Sequence, residues 1–253
     1  MALNLENEGA LIALIQNKDK NIKDKRLYAS SDADNVKNGG PVYTCEKDET
    51  LQVVPNTKTE RTCLYIAGQA GSGKSFYTGA YVHRYKILYP KNDIYLFSSI
   101  DEDKSIDSLK PKRINVLHPD FIREELSSVD FKNALVIFDD IDVFPTPIRK
   151  KVMSIVNNIL IIGRHSNTSI IYTVHSPTAG VETKLLLIEA TIIVIFPKTT
   201  GNRALKYLLD SYLGLDKKQI ERVKKMKSRA VSIIRGYPQV IVGEKQAFLA
   251  HEF

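Results

Sequence analysis

Leu64-Tyr65-Ile66-Ala67-Gly68-Gln69-Ala70-Gly71-Ser72-Gly73-Lys74-Ser75 reads as a strand feeding a glycine-rich loop that closes on Gly-Lys-Ser. From Gly68 onward it matches G-x-x-x-x-G-K-[ST] in full, with a short apolar run ahead and a helix-competent stretch, Phe76 to Val82, behind. The glycines let the backbone fold tightly, so that successive N–H groups point at phosphates. The positive end of the following helix then faces the same charge. Lys74 would reach the β- and γ-phosphates, and the Ser75 hydroxyl would hold Mg²⁺. The segment implies binding of a nucleoside triphosphate through Gly68, Gln69, Ala70, Gly71, Ser72, Gly73, Lys74, Ser75 and Phe76.

A second stretch, Leu135-Val136-Ile137-Phe138-Asp139-Asp140, narrows the chemistry. Its apolar residues suit a parallel strand covered on both faces. The acids at its C-terminal end would emerge beside the loop, where α/β sheets place their ligands. Asp139 is the natural Mg²⁺ partner, through water, because Mg²⁺ keeps much of its hydration shell. Asp140 stands where a carboxylate orients or deprotonates an attacking water. Asp142 reads either as a member of the metal shell or as a surface acid beyond the strand. Ser169 to Val174 makes a further strand, ending at His175 and Ser176. On a strand inserted beside the acidic one, His175 would touch the γ-phosphate or the water. Arg164 lies before that strand, at the opposite edge of the sheet from its own nucleotide. It reads either as a guanidinium supplied in trans to a neighbouring subunit or as a cation at a helix C-terminus.

Composition sets the outer bounds. With 253 residues, 43 % hydrophobic and 26 % charged, the chain suits one α/β domain with or without a small appendage. No apolar stretch approaches a membrane span, and the acidic start Met1 to Glu8 lacks the character of a signal peptide. Cys45 and Cys63 have no metal-site spacing and read as buried, reduced thiols. A formal charge of +7 and a pI of about 9.2 favour a polyanionic partner in a general way. The Lys and Arg residues between Lys198 and Arg235 are opposed only by Asp210, Asp216 and Glu221. That run reads either as a nucleic-acid contact or as a solvated helix face.

Residues 1–60 read as a loosely organised lead-in, with Leu11 to Ile15 as a short helix or strand and Gly39-Gly40-Pro41 as a turn. From Thr62 onward, strands are expected near 93–99, 114–117, 134–138, 169–174 and 191–196. Thr146 is placed to cap a helix with Pro147 at its first position. Ile148, Val152, Ile155, Val156, Ile159 and Leu160 recur at helical spacing, and Gly163 is placed to end it. Beyond residue 200, helices near 203–212 and 217–226 precede a hairpin of 231–234 and 239–242 around Gly236-Tyr237-Pro238. The expected fold is a three-layer α/β P-loop architecture with a mostly parallel sheet and antiparallel C-terminal strands. Residues 1–60 would pack as a lead-in on an ATPase domain over 61–253, with 200–253 forming its C-terminal helices and hairpin.

With the P-loop, the Asp139-Asp140 strand and the segment Arg164-His165-Ser166-Asn167-Thr168-Ser169-Ile170-Ile171, the chain resembles the genome-packaging ATPases of large eukaryotic DNA viruses. The poxvirus-type enzyme and its relatives in the RecA-like FtsK–HerA class of ring motors are the nearest pattern. The resemblance runs from about Thr62 to Phe253 and takes in Ile193 to Lys198 and Ser228 to Val231. It implies ATP and Mg²⁺ as cofactors, a homo-oligomeric ring (pentamer or hexamer) and double-stranded DNA driven into a preformed capsid through a portal or capsid partner. It also implies the cytoplasm of an infected cell, its viral factory or the virion as location. Two positions depart from the family's usual pattern: His175 stands for a Gln or Asn, and Asp140 for the commoner Glu. An ATP-dependent assembly switch with weak hydrolysis, and a nucleoside or nucleotide kinase, are the other readings of the same residues.

Overall fold

In the computed structural model, which describes residues 1–251 apart from 33, 35, 57–60, 179 and 180, the N-terminal stretch is built of strands. These are β1 (Ala2–Asn4), β2 (Ala10–Asn17), β3 (Lys25–Ser30), β4 (Val42–Thr44) and β5 (Glu49–Val53). Four of them form an antiparallel sheet in the order β1-β3-β2-β5. The loose organisation read from the sequence is therefore corrected. A register shift between Leu11 and Ala13 breaks the alternation of β2 and buries the adjacent Ile12 and Ala13 together. That irregularity is what hides a strand from its period-2 signature. The chain divides into two compact units, Met1–Lys58 with Thr191–Phe253, and Thr59–Ala190.

The unit Thr59–Ala190 holds the parallel sheet. Its elements are β6 (Cys63–Ala67), α1 (Lys74–Leu88), β7 (Ile94–Ser98), α2 (Lys104–Asp107), β8 (Lys112–Arg113), β9 (Leu135–Asp139), α3 (Thr146–Ile162), β10 (Ser169–Val174) and α4 (Val181–Glu189). β10 lies between β6 and β9, β7 flanks β9, and β8 flanks β7, all parallel. Every residue of β6, β9 and β10 is buried, as unbroken apolar runs in a sheet covered on both faces require. Phe97 of β7 stacks on Phe138 of β9 at 4.7 Å between ring centroids. The strand expected over 114–117 lies instead at Lys112–Arg113. Asn115 ends it, its Oδ1 accepting from the Leu117 N–H at 3.2 Å in a local turn.

α3 begins one residue earlier than the caps suggested. Thr146 is itself helical, Pro145 holds the capping position and no side chain caps the turn. Val152, Ile155, Val156, Ile159 and Leu160 form the buried stripe. Gly163 does end the helix, but with an ordinary right-handed backbone. A Cβ there would fall 2.4 Å from the Ile159 carbonyl oxygen and 3.0 Å from Arg61 Nη1. The glycine makes room for Arg61, whose Nη1 and Nη2 donate to the Ile159 and Leu160 carbonyls at 2.6 Å each. Gly79 of α1 plays a similar part, since a Cβ would meet the Ser105 carbonyl oxygen of α2 at 2.4 Å.

The other unit is completed by β11 (Ile192–Ile195), α5 (Asn202–Tyr207), α6 (Lys217–Lys225), β12 (Val231–Ile234), β13 (Val240–Val242) and β14 (Gln246–Leu249). β11, β12, β13, β14 and β4 pair antiparallel in that order. The β12–β13 hairpin closes through a cis Tyr237–Pro238 bond. α5 runs on into a π-helical turn, Leu208–Tyr212. α6 carries a capping box between Asp216 and Gln219. The chain is thus an α/β protein with a mostly parallel sheet and antiparallel C-terminal strands. Cys63 is buried and Cys45 only half-buried; neither is in a disulfide, and burial pushes each thiol up to about 11.

Candidate nucleotide site

The loop between β6 and α1 has the backbone its glycines permit. Gly71 (φ +74°) and Gly73 (φ +111°) are left-handed. A Cβ on Gly71 would meet nothing within 4 Å, so the conformation and not the space calls for glycine. Gln69, Ala70 and Gly71 are exposed and Gly68 is buried, its N–H donating to the Val174 carbonyl at 3.0 Å. Ser72 N–H donates to the Gln69 carbonyl at 3.1 Å, which curls the loop. Helix α1 starts at Lys74 with no side-chain cap and no acid in its first turn. Such a start presents N–H donors and positive dipole to an anion. Ser75 is half-buried in that turn, and Phe76 is 77 % exposed.

The acids stand one strand away. Asp139 ends β9 and is buried. Its Oδ1 accepts from Thr173 Oγ1 at 2.7 Å and its Oδ2 from Ser98 Oγ at 3.5 Å, so β10 and β7 hold the carboxylate from either side. Burial raises the Asp139 pKa above the ordinary carboxylate value, and the charges of Asp140 and Asp103 add to that; the Thr173 bond and Lys74 oppose it. Asp140 follows in a left-handed conformation (φ +49°). Its N–H donates to Thr173 Oγ1 at 3.3 Å and its carbonyl accepts from Ser99 Oγ at 3.3 Å. A buried carboxylate crowded by other acids, with a hydroxyl on the facing loop, is a donor set for a hard, oxygen-seeking cation. Among the described residues no three His, Cys, Asp or Glu side chains gather into a metal cluster. That suits an ion such as Mg²⁺, which keeps much of its water.

His175, just beyond β10, joins loop and acids. Its Nδ1 lies 3.4 Å from Lys74 Nζ and its Nε2 3.1 Å from Asp140 Oδ1. Lys74, 7 % exposed, also donates to the Gly68 carbonyl at 2.9 Å. The fold therefore brings Lys74, Asp139, Asp140 and His175 together at the C-terminal ends of β6, β9 and β10. Asp142 is exposed in the turn after β9. Thr173 and Ser98 were missed by sequence reasoning; no local signal marks a strand Thr or Ser that turns toward a neighbouring acid.

Arg164 does not join them. It is exposed in the turn ahead of β10, roughly a strand's length of 17–20 Å from the acids. The segment around it is a hydrogen-bonded corner. Thr168 Oγ1 donates to the Ser128 and Phe131 carbonyls at 3.1 and 3.0 Å, and Ser166 Oγ lies 2.7 Å from that hydroxyl. Asn167 (φ +51°) reaches Asn133 Oδ1 at 3.2 Å. The residues that flank Arg164 thus fix the corner from which it projects.

The chain is 37 % identical over 228 residues to the uncharacterized protein V3 of Sputnik virophage, spanning 89 % of this chain and 90 % of that one. Among solved structures it is similar to the genome-packaging NTPase B204 of Sulfolobus turreted icosahedral virus 2 in complex with AMPPCP. There the TM-score is 0.48 at 16 % identity over 73 % of this chain and 98 % of that one. It is also similar to the pCW3 conjugation coupling protein TcpA with ATPγS (TM-score 0.44, 12 % identity, 96 % of this chain and 78 % of that one). No protein-family profile matches the sequence. No helix of the described residues is long and apolar enough to cross a membrane.

Proposed function

This chain belongs to the family of the Sputnik virophage protein V3, and we propose that it is a Mg²⁺-dependent ATPase that drives double-stranded viral DNA into a preformed capsid. The observation that carries the reading is the convergence of Lys74, Asp139, Asp140 and His175 beside an uncapped, glycine-led helix start. Residues Gly68 to Phe76 cradle the phosphates, with Lys74 on the β- and γ-phosphates. Ser75 and, through water, Asp139 hold the Mg²⁺, which supplies charge neutralisation on the phosphoryl oxygens. Asp140 takes the proton of the attacking water. Thr173 holds both acids in register. Arg164, remote from its own site, serves the next subunit of a homo-oligomeric ring of five or six.

The chemistry is assigned to Thr59–Ala190. DNA phosphates are assigned to the exposed cations on and after α6, namely Lys217, Lys218, Lys225, Lys227 and Arg229. A capsid or portal component anchors the ring, which works in the viral factory of the infected cell. Steady-state ATP hydrolysis, with and without long double-stranded DNA and across protein concentration, tests this. Stimulation by DNA and specific activity that rises on assembly are expected. The contact of His175 with Asp140 favours one other reading, an assembly switch with weak hydrolysis. Turnover indifferent to DNA selects that switch, and phosphate transfer to a nucleoside selects a kinase.

A further inference from the structure

Two contacts on one imidazole specify its tautomer. Lys74 Nζ can only donate, so Nδ1 of His175, 3.4 Å away, must carry the lone pair. Nε2 must then carry the hydrogen, and it faces Asp140 Oδ1, an acceptor, at 3.1 Å. The opposite tautomer would set an N–H against an ammonium and a lone pair against a carboxylate. The backbone on either side of Asp140 is pinned by Thr173 and Ser99, so the carboxylate, not the chain, is what a lost contact would release. Lys74 is pinned on its other side by the Gly68 carbonyl.

We propose that His175 is a positioning residue that locks the empty site, accepting from Lys74 and donating to Asp140. A triphosphate that draws Lys74 onto its own oxygens breaks the first contact, and the ring is then free to release the base. Asp140 thus becomes available for water only when the γ-phosphate subsite is filled. This rests on the ATPase reading and deepens it: the histidine that replaces the usual amide ties the lysine to the acid before any nucleotide arrives. An Asn or Gln side chain has an acceptor and a donor on one terminal carbon. The imidazole holds them on opposite sides of a ring, and so spans the gap.

The test has two parts. Long-range ¹⁵N–¹H spectra of the labelled, nucleotide-free protein resolve its 5 histidines, with His175→Gln assigning the signal. The Nε2–H tautomer is expected, changing when AMPPCP is added. His175→Ala should lower kcat by about 10- to 100-fold. The same variant should bind AMPPCP about threefold tighter or more, because the binding-competent state of Lys74 is no longer held back. A merely structural histidine would weaken both binding and turnover, and a simple γ-phosphate contact would weaken binding. An Nδ1–H tautomer in the wild type, or weaker AMPPCP binding in the variant, overturns the lock alone. Wild-type protein that binds no AMPPCP overturns the ATPase reading, and the spectra of the empty protein still judge the bridge.

Discussion

Replacing Thr173 by Val keeps the side-chain volume and removes one oxygen that serves two acids. In the wild type that oxygen donates to Asp139 Oδ1 at 2.7 Å and accepts from the Asp140 N–H at 3.3 Å, on a side chain 1 % exposed. The first is a bond to a charged group, worth about 1.5–3 kcal/mol when Asp139 is ionised, and the second leaves a backbone donor unpaired at a cost of about 1–3 kcal/mol. Burying a methyl in place of a hydroxyl offsets about 1 kcal/mol. The net loss is about 2–5 kcal/mol. Urea denaturation of the nucleotide-free protein should show the midpoint falling at constant slope. Turnover should drop by about 10- to 100-fold as both carboxylates lose their register, each tenfold corresponding to about 1.4 kcal/mol. Thr173→Ser, which keeps the oxygen, should stay within about 1 kcal/mol of wild type. A Thr173→Val protein that matches wild type in both midpoint and turnover would refute the claim that this hydroxyl organises the acid pair.

Asp139 gives a prediction with a definite sign. Its folded pKa is raised, chiefly by burial, so the native state holds this proton more tightly than the unfolded chain. The stabilising contribution is present below the unfolded value and is lost as pH rises through the folded one. Asp139→Asn should therefore raise Tm near neutral pH in the absence of a divalent cation, by about 2–4 °C for each kcal/mol relieved, and lose that advantage in acid; a lower neutral-pH Tm contradicts the account. Asp140→Asn should bind ATP and fail to hydrolyse it, and loss of binding would make Asp140 a fold or metal residue. Arg164→Ala should lower turnover of the assembly, with part regained on mixing with Lys74→Ala subunits; no recovery removes the trans role. Arg61→Met should cost about 1–3 kcal/mol by uncapping α3, read from the denaturation midpoint, while nucleotide affinity stays unchanged.

The parts of the site that read directly from the sequence are those whose chemistry is spelled by neighbours in the chain. The Gly68 to Ser75 loop, the acids after an apolar run and the polar residue after another strand belong to that class. The fold sets Lys74, Asp139, Asp140 and His175 side by side. Thr173 was hidden because strands commonly carry threonine, and only the β9–β10 register shows one facing an acid. Arg61 was hidden for the same reason at greater range, its partners lying 98 and 99 residues on. In the N-terminal stretch, short strands and the irregularity in β2 removed the periodicity on which sequence reasoning depends. At Asn115 a side-chain turn outcompeted strand propensity and shifted β8 toward the N-terminus.

The insertion of β10 between β6 and β9 also sets a timetable. A growing chain that has synthesised the loop and both acids still has two unpaired strand edges facing a missing neighbour. The histidine that meets Lys74 arrives 101 residues after it. Pairings of such separation are slow to find, and the waiting edges are sticky while they last. Until the ribosome has released β10, the nascent polypeptide carries the phosphate-gripping loop without the means to use it. Idle ATP consumption by unfinished chains is thereby excluded by the order of synthesis itself.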